Sequence, residues 1–174
     1  MHCLAKPRDL TTELRWRGGA GQSSPKVATD MPMSNESVLK VEAVLQNVPR
    51  AIDFVTPLAL KAGFGDQELY EIQVAVDEAC ANIVHHAYGG MEHGDMELTC
   101  WQDERMFIIH VRDWGVSFAP EEIDDPDVHA PLEERALGGL GMFLIKQFMD
   151  EVHFAFDPEQ GNELTMAKRR PMPE

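Results

Sequence analysis

The chain has 174 residues, enough for one domain of ordinary size plus a tail. Hydrophobic residues make up 44% and charged residues 26%, so a core can form without disulfide or metal staples. Its 15 Lys and Arg against 30 Asp and Glu give a formal charge of -15, which argues against nucleic acid or an anionic membrane as the main partner.

Residues 1–34 hold five Lys/Arg and three Asp/Glu, and GGAGQSSPK and MPMSN have linker composition. A disordered extension is expected there, followed by a domain over 35–170 and a short tail at 171–174. Met31 and Met33 stand just before the first periodic segment and are alternative starts. Arg8, Asp9, Glu13, Arg15 and Arg17 interrupt every apolar run, so no secretory leader is expected. No stretch approaches the roughly 20 apolar residues of a membrane span. Cys3, Cys80 and Cys100 form no CxxC, which suits a reducing cytoplasm.

VLKVEAVL at 38–45 predicts a strand. Asn47 then caps a helix from Pro49 to about Ala62, which Pro57 should kink or interrupt. After GFGD a second helix runs from Asp66 to about His86 and ends at YGG. Residues 95–102 and 105–112 read as a hairpin. An acidic irregular segment fills 114–138. GLGMFLIKQFMDEV reads as a third helix, and VHFAF and ELTMAK as two closing strands around PEQGN. This order predicts an α+β two-layer sandwich, with helices on one face of a mainly antiparallel sheet.

Three places carry candidate chemistry. On the second helix Leu69, Ile72, Val76, Ala79 and Ile83 form a core stripe, flanked by Glu78, Asn82 and His86 at spacings of four. A carboxylate can accept a proton, and an amide oxygen is a neutral hard ligand suited to magnesium. The same two residues also suit a plain solvated flank. In VRDWGVSF, Asp113 at a strand end could accept from an exocyclic amine, and Gly115 permits close approach; an ordinary strand-to-loop turn fits equally. Gly138, Gly139 and Gly141 precede a helix whose first N–H groups and dipole suit phosphate, or they form a hinge. No Walker A loop and no GxGxxG is present. His85, His86 and His93 lie near Cys80, but at no usual zinc spacing. Lys168, Arg169 and Arg170 read as a solvated tail, or as a contact for an acidic partner.

In this order the motifs resemble the GHKL (Bergerat-fold, histidine-kinase-like) ATPase superfamily, and within it the anti-sigma-factor serine/threonine kinases of the RsbW type. EACANIVHHAY is similar to the asparagine box, DWGVSF to the first glycine box and GGLGMFLIKQFMDEV to the second, over roughly 37–168. The resemblance implies a two-layer α/β sandwich with a mixed, mainly antiparallel sheet, and ATP and Mg2+ as cofactors. It implies that Asn82 binds the metal and Glu78 orients or deprotonates the attacking hydroxyl. Asp113 would hold the adenine amine and Gly115 admit the ring, with Phe118 closing that box. Backbone groups of Gly138, Gly139, Leu140, Gly141 and Met142 would hold phosphates, residues 116–138 would form a lid, and Thr165 joins the nucleotide set. Arg135 is either a phosphate clamp or a surface partner of Glu133 or Glu134. The family often carries Gly-Thr near the nucleotide, where this chain has Gly161-Asn162; the roles of Asn162 and Thr165 stay open. The implied partners are a STAS-type antagonist as phospho-acceptor, a sigma factor or other regulator, and a second copy of the chain. The alternatives are a nucleotide-tuned binding module without kinase activity, and ATP hydrolysis without a protein acceptor.

Overall fold

The computed structural model describes residues 36–89, 94–117, 140–157 and 159–171. Strand β1 (Ser37–Glu42) is followed by a 3-10 turn (Leu45–Asn47), then helices α1 (Val48–Ala62) and α2 (Asp66–Asn82). A π-type turn (Ile83–Ala87) extends α2, and strands β2 (Asp95–Gln102) and β3 (Met106–Asp113) come next. Helix α3 (Leu140–Phe148) precedes strands β4 (Glu151–Asp157) and β5 (Gly161–Arg169). The five strands form one sheet in the order β1-β2-β3-β5-β4, and every pairing is antiparallel.

Alternation decides which face is buried. Leu98, Val111 and Leu164 lie side by side across β2, β3 and β5, as do Cys100, Ile109 and Met166. All six are buried, in one cluster with Val55 and Ala59 of α1, Ile72, Val76 and Ala79 of α2, and Ile145 of α3. The helical residues recur at three- and four-residue spacing, the stripe a surface helix turns to a core. The helices therefore cover one face of the sheet, as the sequence predicts.

Local signals explain most boundaries. Helix α1 ends where Gly63 takes φ 100°, and Gly63 and Phe64 donate their N–H groups to Leu60 and Ala59. Of the two effects expected of Pro57, interruption does not occur: α1 is continuous from Val48 to Ala62. Asn47 sits at the N-cap position, but its amide donates back to the Glu42 carbonyl at 2.9 Å rather than capping α1. Two ends differ from the sequence expectation. Strand β1 stops at Glu42 rather than at residue 45, because Val44 bonds back to the Glu42 carbonyl and the 3-10 turn begins. Helix α3 stops at Phe148 rather than running through MDEV. Lys168 Nζ takes the Phe148 carbonyl at 2.6 Å, Asp150 N–H bonds the Ala167 carbonyl, and Glu151 pairs with Ala167 in the sheet.

Candidate active site

The first corner of the site lies where α3 meets α2. Glu78 and Asn82 are one helical turn apart on the flank of the α2 core stripe, both half-buried, while Asp77 points to solvent. Gly141, in the first turn of α3, packs directly on them. A Cβ at position 141 would overlap Glu78 Oε2 and lie 3.5 Å from Asn82 Nδ2, so only glycine admits this approach. Burial, and then the neighbouring Asp77 charge, push the Glu78 carboxyl above the ordinary glutamate range. A carboxylate so shifted is a stronger base. Met142 is buried in the core and Leu140 is 54% exposed, so what the start of α3 offers a ligand is main-chain N–H.

The second corner is the end of β3. Asp113 is only 5% exposed. Its Oδ1 accepts from the Gly115 N–H at 2.9 Å and from Asn162 Nδ2 at 2.8 Å. Burial raises the Asp113 carboxyl above its ordinary value, and these two bonds pull it back. Gly115 lies against Ala87, whose carbonyl accepts from the Val116 N–H at 2.8 Å; a Cβ at 115 would strike it. Tyr88 joins the same corner. Its hydroxyl donates to the Asp95 carbonyl and accepts from the Trp114 N–H, each at 2.8 Å. The π turn therefore links the corners: Asn82 precedes it, and Ala87 and Tyr88 at its end hold the segment after Asp113. Such turns recur at functional sites because they re-phase a helix by one residue.

Among the described residues the structure thus brings together Glu78, Asn82 and Gly141 at one corner, and Asp113 and Gly115 at the other. Phe118, Arg135, Gly138 and Gly139, and most of the expected lid, lie outside the described residues. Thr165 does not join the site. It falls between buried Leu164 and Met166, so it faces the other side of the sheet, in a row with Thr99, His110 and His153. Asn162, whose role was open, is the residue of β5 that reaches Asp113. Tyr88 was missed; the turn it secures is tertiary, and no local pattern announces it.

The basic run at 168–170 is a solvated tail only in part: Arg169 is exposed, but Lys168 is not. Lys168 is 9% exposed and bonds Glu71 Oε2 at 2.8 Å, and this partner holds the Glu71 carboxyl below its ordinary range. Arg169 meets Asp150, and Arg170 donates to the carbonyls of Ala62 and Asp103. Cys80 is fully buried with its thiol pushed up to about 12, while His85 and His86 are exposed, so these three are not gathered for zinc.

The donor set suits a magnesium nucleotide. A neutral amide oxygen beside a carboxylate at Gly141 offers hard oxygen ligation and a base, and helix-start N–H groups suit phosphate. A buried carboxylate beside a glycine suits an amine-bearing ring.

Comparison with known proteins bears on the class. The family described as Histidine kinase-like ATPase domain matches residues 41–168. The Serine-protein kinase RsbW of Listeria monocytogenes serovar 1/2a is 36% identical over 115 residues, 64% of this chain and 72% of its own length. That of Halalkalibacterium halodurans is 34% identical over 138 residues, 73% and 83% of the two chains. That of Bacillus mycoides is 29% identical over 140 residues, 74% and 86%. The chain belongs to the histidine kinase-like ATPase domain family and, within it, to the serine-protein kinases of the RsbW type. It is a protein serine/threonine kinase.

Proposed function

We propose that the chain binds Mg-ATP, phosphorylates a serine of a STAS-type antagonist protein, and holds a sigma factor or similar regulator in a partner switch. The observation that carries this reading is the contact of Gly141 with Glu78 and Asn82, which gathers a carboxylate, an amide and the first turn of α3 at one point. The bound Mg-ATP would supply a transferable γ-phosphoryl group and the charge neutralisation that phosphoryl transfer needs.

The chain's own residues do the rest. Glu78, with its raised proton affinity, accepts the proton of the incoming serine hydroxyl. Asn82 offers its amide oxygen to the metal. The first N–H groups of α3 hold phosphate oxygens, joined by Gly138 and Gly139, with Arg135 as the clamp. Asp113 accepts from the 6-amino group of adenine, and Gly115 lets the ring lie close; Phe118 borders it. The catalytic domain spans residues 35–170, in the reducing compartment that buried free Cys80 and Cys100 suit. Phosphate on the antagonist would add nearly two negative charges at its interface and release it.

Two measurements test this. Calorimetric titration with ATP and GTP, with and without magnesium, should give magnesium-dependent ATP binding and much weaker GTP binding. Incubation with labelled ATP and the STAS-type antagonist should label the antagonist, and Glu78→Gln should bind ATP but label about 10²–10⁴-fold more slowly. Absence of nucleotide binding by the wild type removes the proposal, and an unimpaired Glu78→Gln removes the base.

A further inference from the structure

The register of the central strands sets Asn162 of β5 directly opposite Asp113 of β3. Gly161, just before it, has φ 98°, and the Asp113 carbonyl lies where a Cβ at 161 would stand. The turn therefore closes on Asp113 more tightly than any residue with a side chain would permit. Asn162 Nδ2 donates to Asp113 Oδ1 at 2.8 Å and lies 3.4 Å from the carbonyl oxygens of Gly115 and Val116. The Gly115 N–H donates to the same Oδ1. Two donors on one carboxylate oxygen fix the plane of the group and commit that oxygen, which assigns the reading of a ligand to the other.

We infer that Asn162 is a positioning residue for base selection: it holds Asp113 as a hydrogen-bond acceptor and so favours a 6-aminopurine nucleotide over a 6-oxopurine. The inference rests on the nucleotide site proposed above. A 6-aminopurine presents an N–H donor and needs an acceptor; a 6-oxopurine presents an acceptor and needs a donor. An ionised carboxylate only accepts, whereas a protonated one also donates. Burial drives Asp113 toward the protonated form, and the bonds from Asn162 and Gly115 oppose it.

The charged groups around this corner are engaged elsewhere. Arg112 and Glu163, next along the two strands, pair with each other on the opposite face of the sheet. Lys40 of β1 pairs with Asp95 at the start of β2 and stands over the Trp114 ring. The Tyr88 hydroxyl is committed to Asp95 and Trp114, and the β2 residue opposite Asp113 is apolar Met96. Among the described residues, Asn162 is the side chain that hydrogen-bonds Asp113.

The test combines ligand-free and ligand-bound readouts on the full chain. The Asp113 carboxyl is titrated by 13C NMR in the wild type, Asn162→Ala and Asn162→Thr without nucleotide. The same proteins are titrated with Mg-ATP and Mg-GTP by calorimetry from pH 5 to 8. Asn162→Ala should raise the Asp113 midpoint, weaken ATP about tenfold at neutral pH, and narrow the ATP/GTP preference by a similar factor. Its loss of ATP affinity should set in at higher pH than in the wild type. Asn162→Thr, with a hydroxyl able to donate one bond, should fall between. An unmoved midpoint with ATP and GTP weakened alike overturns the inference, since Asn162 would then only support the turn. A wild type that binds ATP, matched by unchanged variants, overturns it alone. A wild type that binds neither nucleotide overturns the site and the inference together.

Discussion

Burial raises the proton affinity of both carboxylates in the site, but their surroundings differ. Glu78 is half-buried, beside the like charge of Asp77, and a raised value there would suit the proton acceptance proposed for it. Asp113 is nearly sealed, and its two hydrogen bonds oppose the rise that burial causes. Keeping Asp113 ionised therefore costs the fold stability. In the unfolded chain it ionises near its usual value of about 3.9. Below that pH it is protonated in both states and the cost vanishes; as pH rises through the raised folded value the cost appears in full. Asp113→Asn should accordingly melt higher than wild type at pH 7, with the gain disappearing toward pH 3.5. It should also weaken ATP binding by about 10²-fold, because the amide places a donor where the purine amine needs an acceptor. Melting curves at two pH values and one ATP titration check both halves. A variant that melts lower at pH 7 would contradict the assignment of burial as the dominant cause.

At the scale of elements, the contact of α3 with α2 makes a sharp prediction. Gly141→Ala adds a methyl that meets the far end of the Glu78 side chain, which can swing aside, rather than rigid backbone. The protein should fold, with a melting temperature within a few degrees of wild type, since alanine also favours the helix. Displacing Glu78 should nevertheless slow phosphotransfer by about 10²-fold or more. Labelling rate and melting curve, measured on one preparation, separate this from unfolding. The Glu78–Asn82 flank, Asp113 at its strand end and the glycine before an apolar helix were legible because each is a local pattern of period or position. The end of α3 was not. MDEV continues the apolar run, and only pairing with β5 and the Lys168 cap on Phe148 stop it. Lys168 itself misled for the same reason, since its partners Glu71 and Phe148 are distant in sequence. The face of Thr165 could have been read: counting by two from Leu164 and Met166 leaves it on the other side. Asn162 could not, because its partner lies 49 residues away.

For the whole molecule, element order and type followed from periodicity and turn residues, and the single-faced helical layer followed from alternation in the strands. Among the described residues no helix is long and apolar enough to cross a membrane. The connectivity adds a consequence for time rather than for shape. Strands β2 and β3 form one hairpin and β4 and β5 another, so each pair can form from neighbouring chain. Joining them requires the β3–β5 pairing, which closes the 49 residues of chain between Asp113 and Asn162. Long-range pairing is the slow part of assembling a sheet. The proposed nucleotide pocket would then be completed late, leaving a ligand that recognises it little to hold in the folding transition state. Saturating Mg-ATP should slow unfolding, roughly in proportion to its binding energy, while leaving the refolding rate nearly unchanged. Stopped-flow chevrons with and without nucleotide would show it, and an accelerated folding arm would mean that the two hairpins meet early. The kinase would then be long-lived when charged with nucleotide and short-lived when empty, its persistence set by the same ligand it consumes.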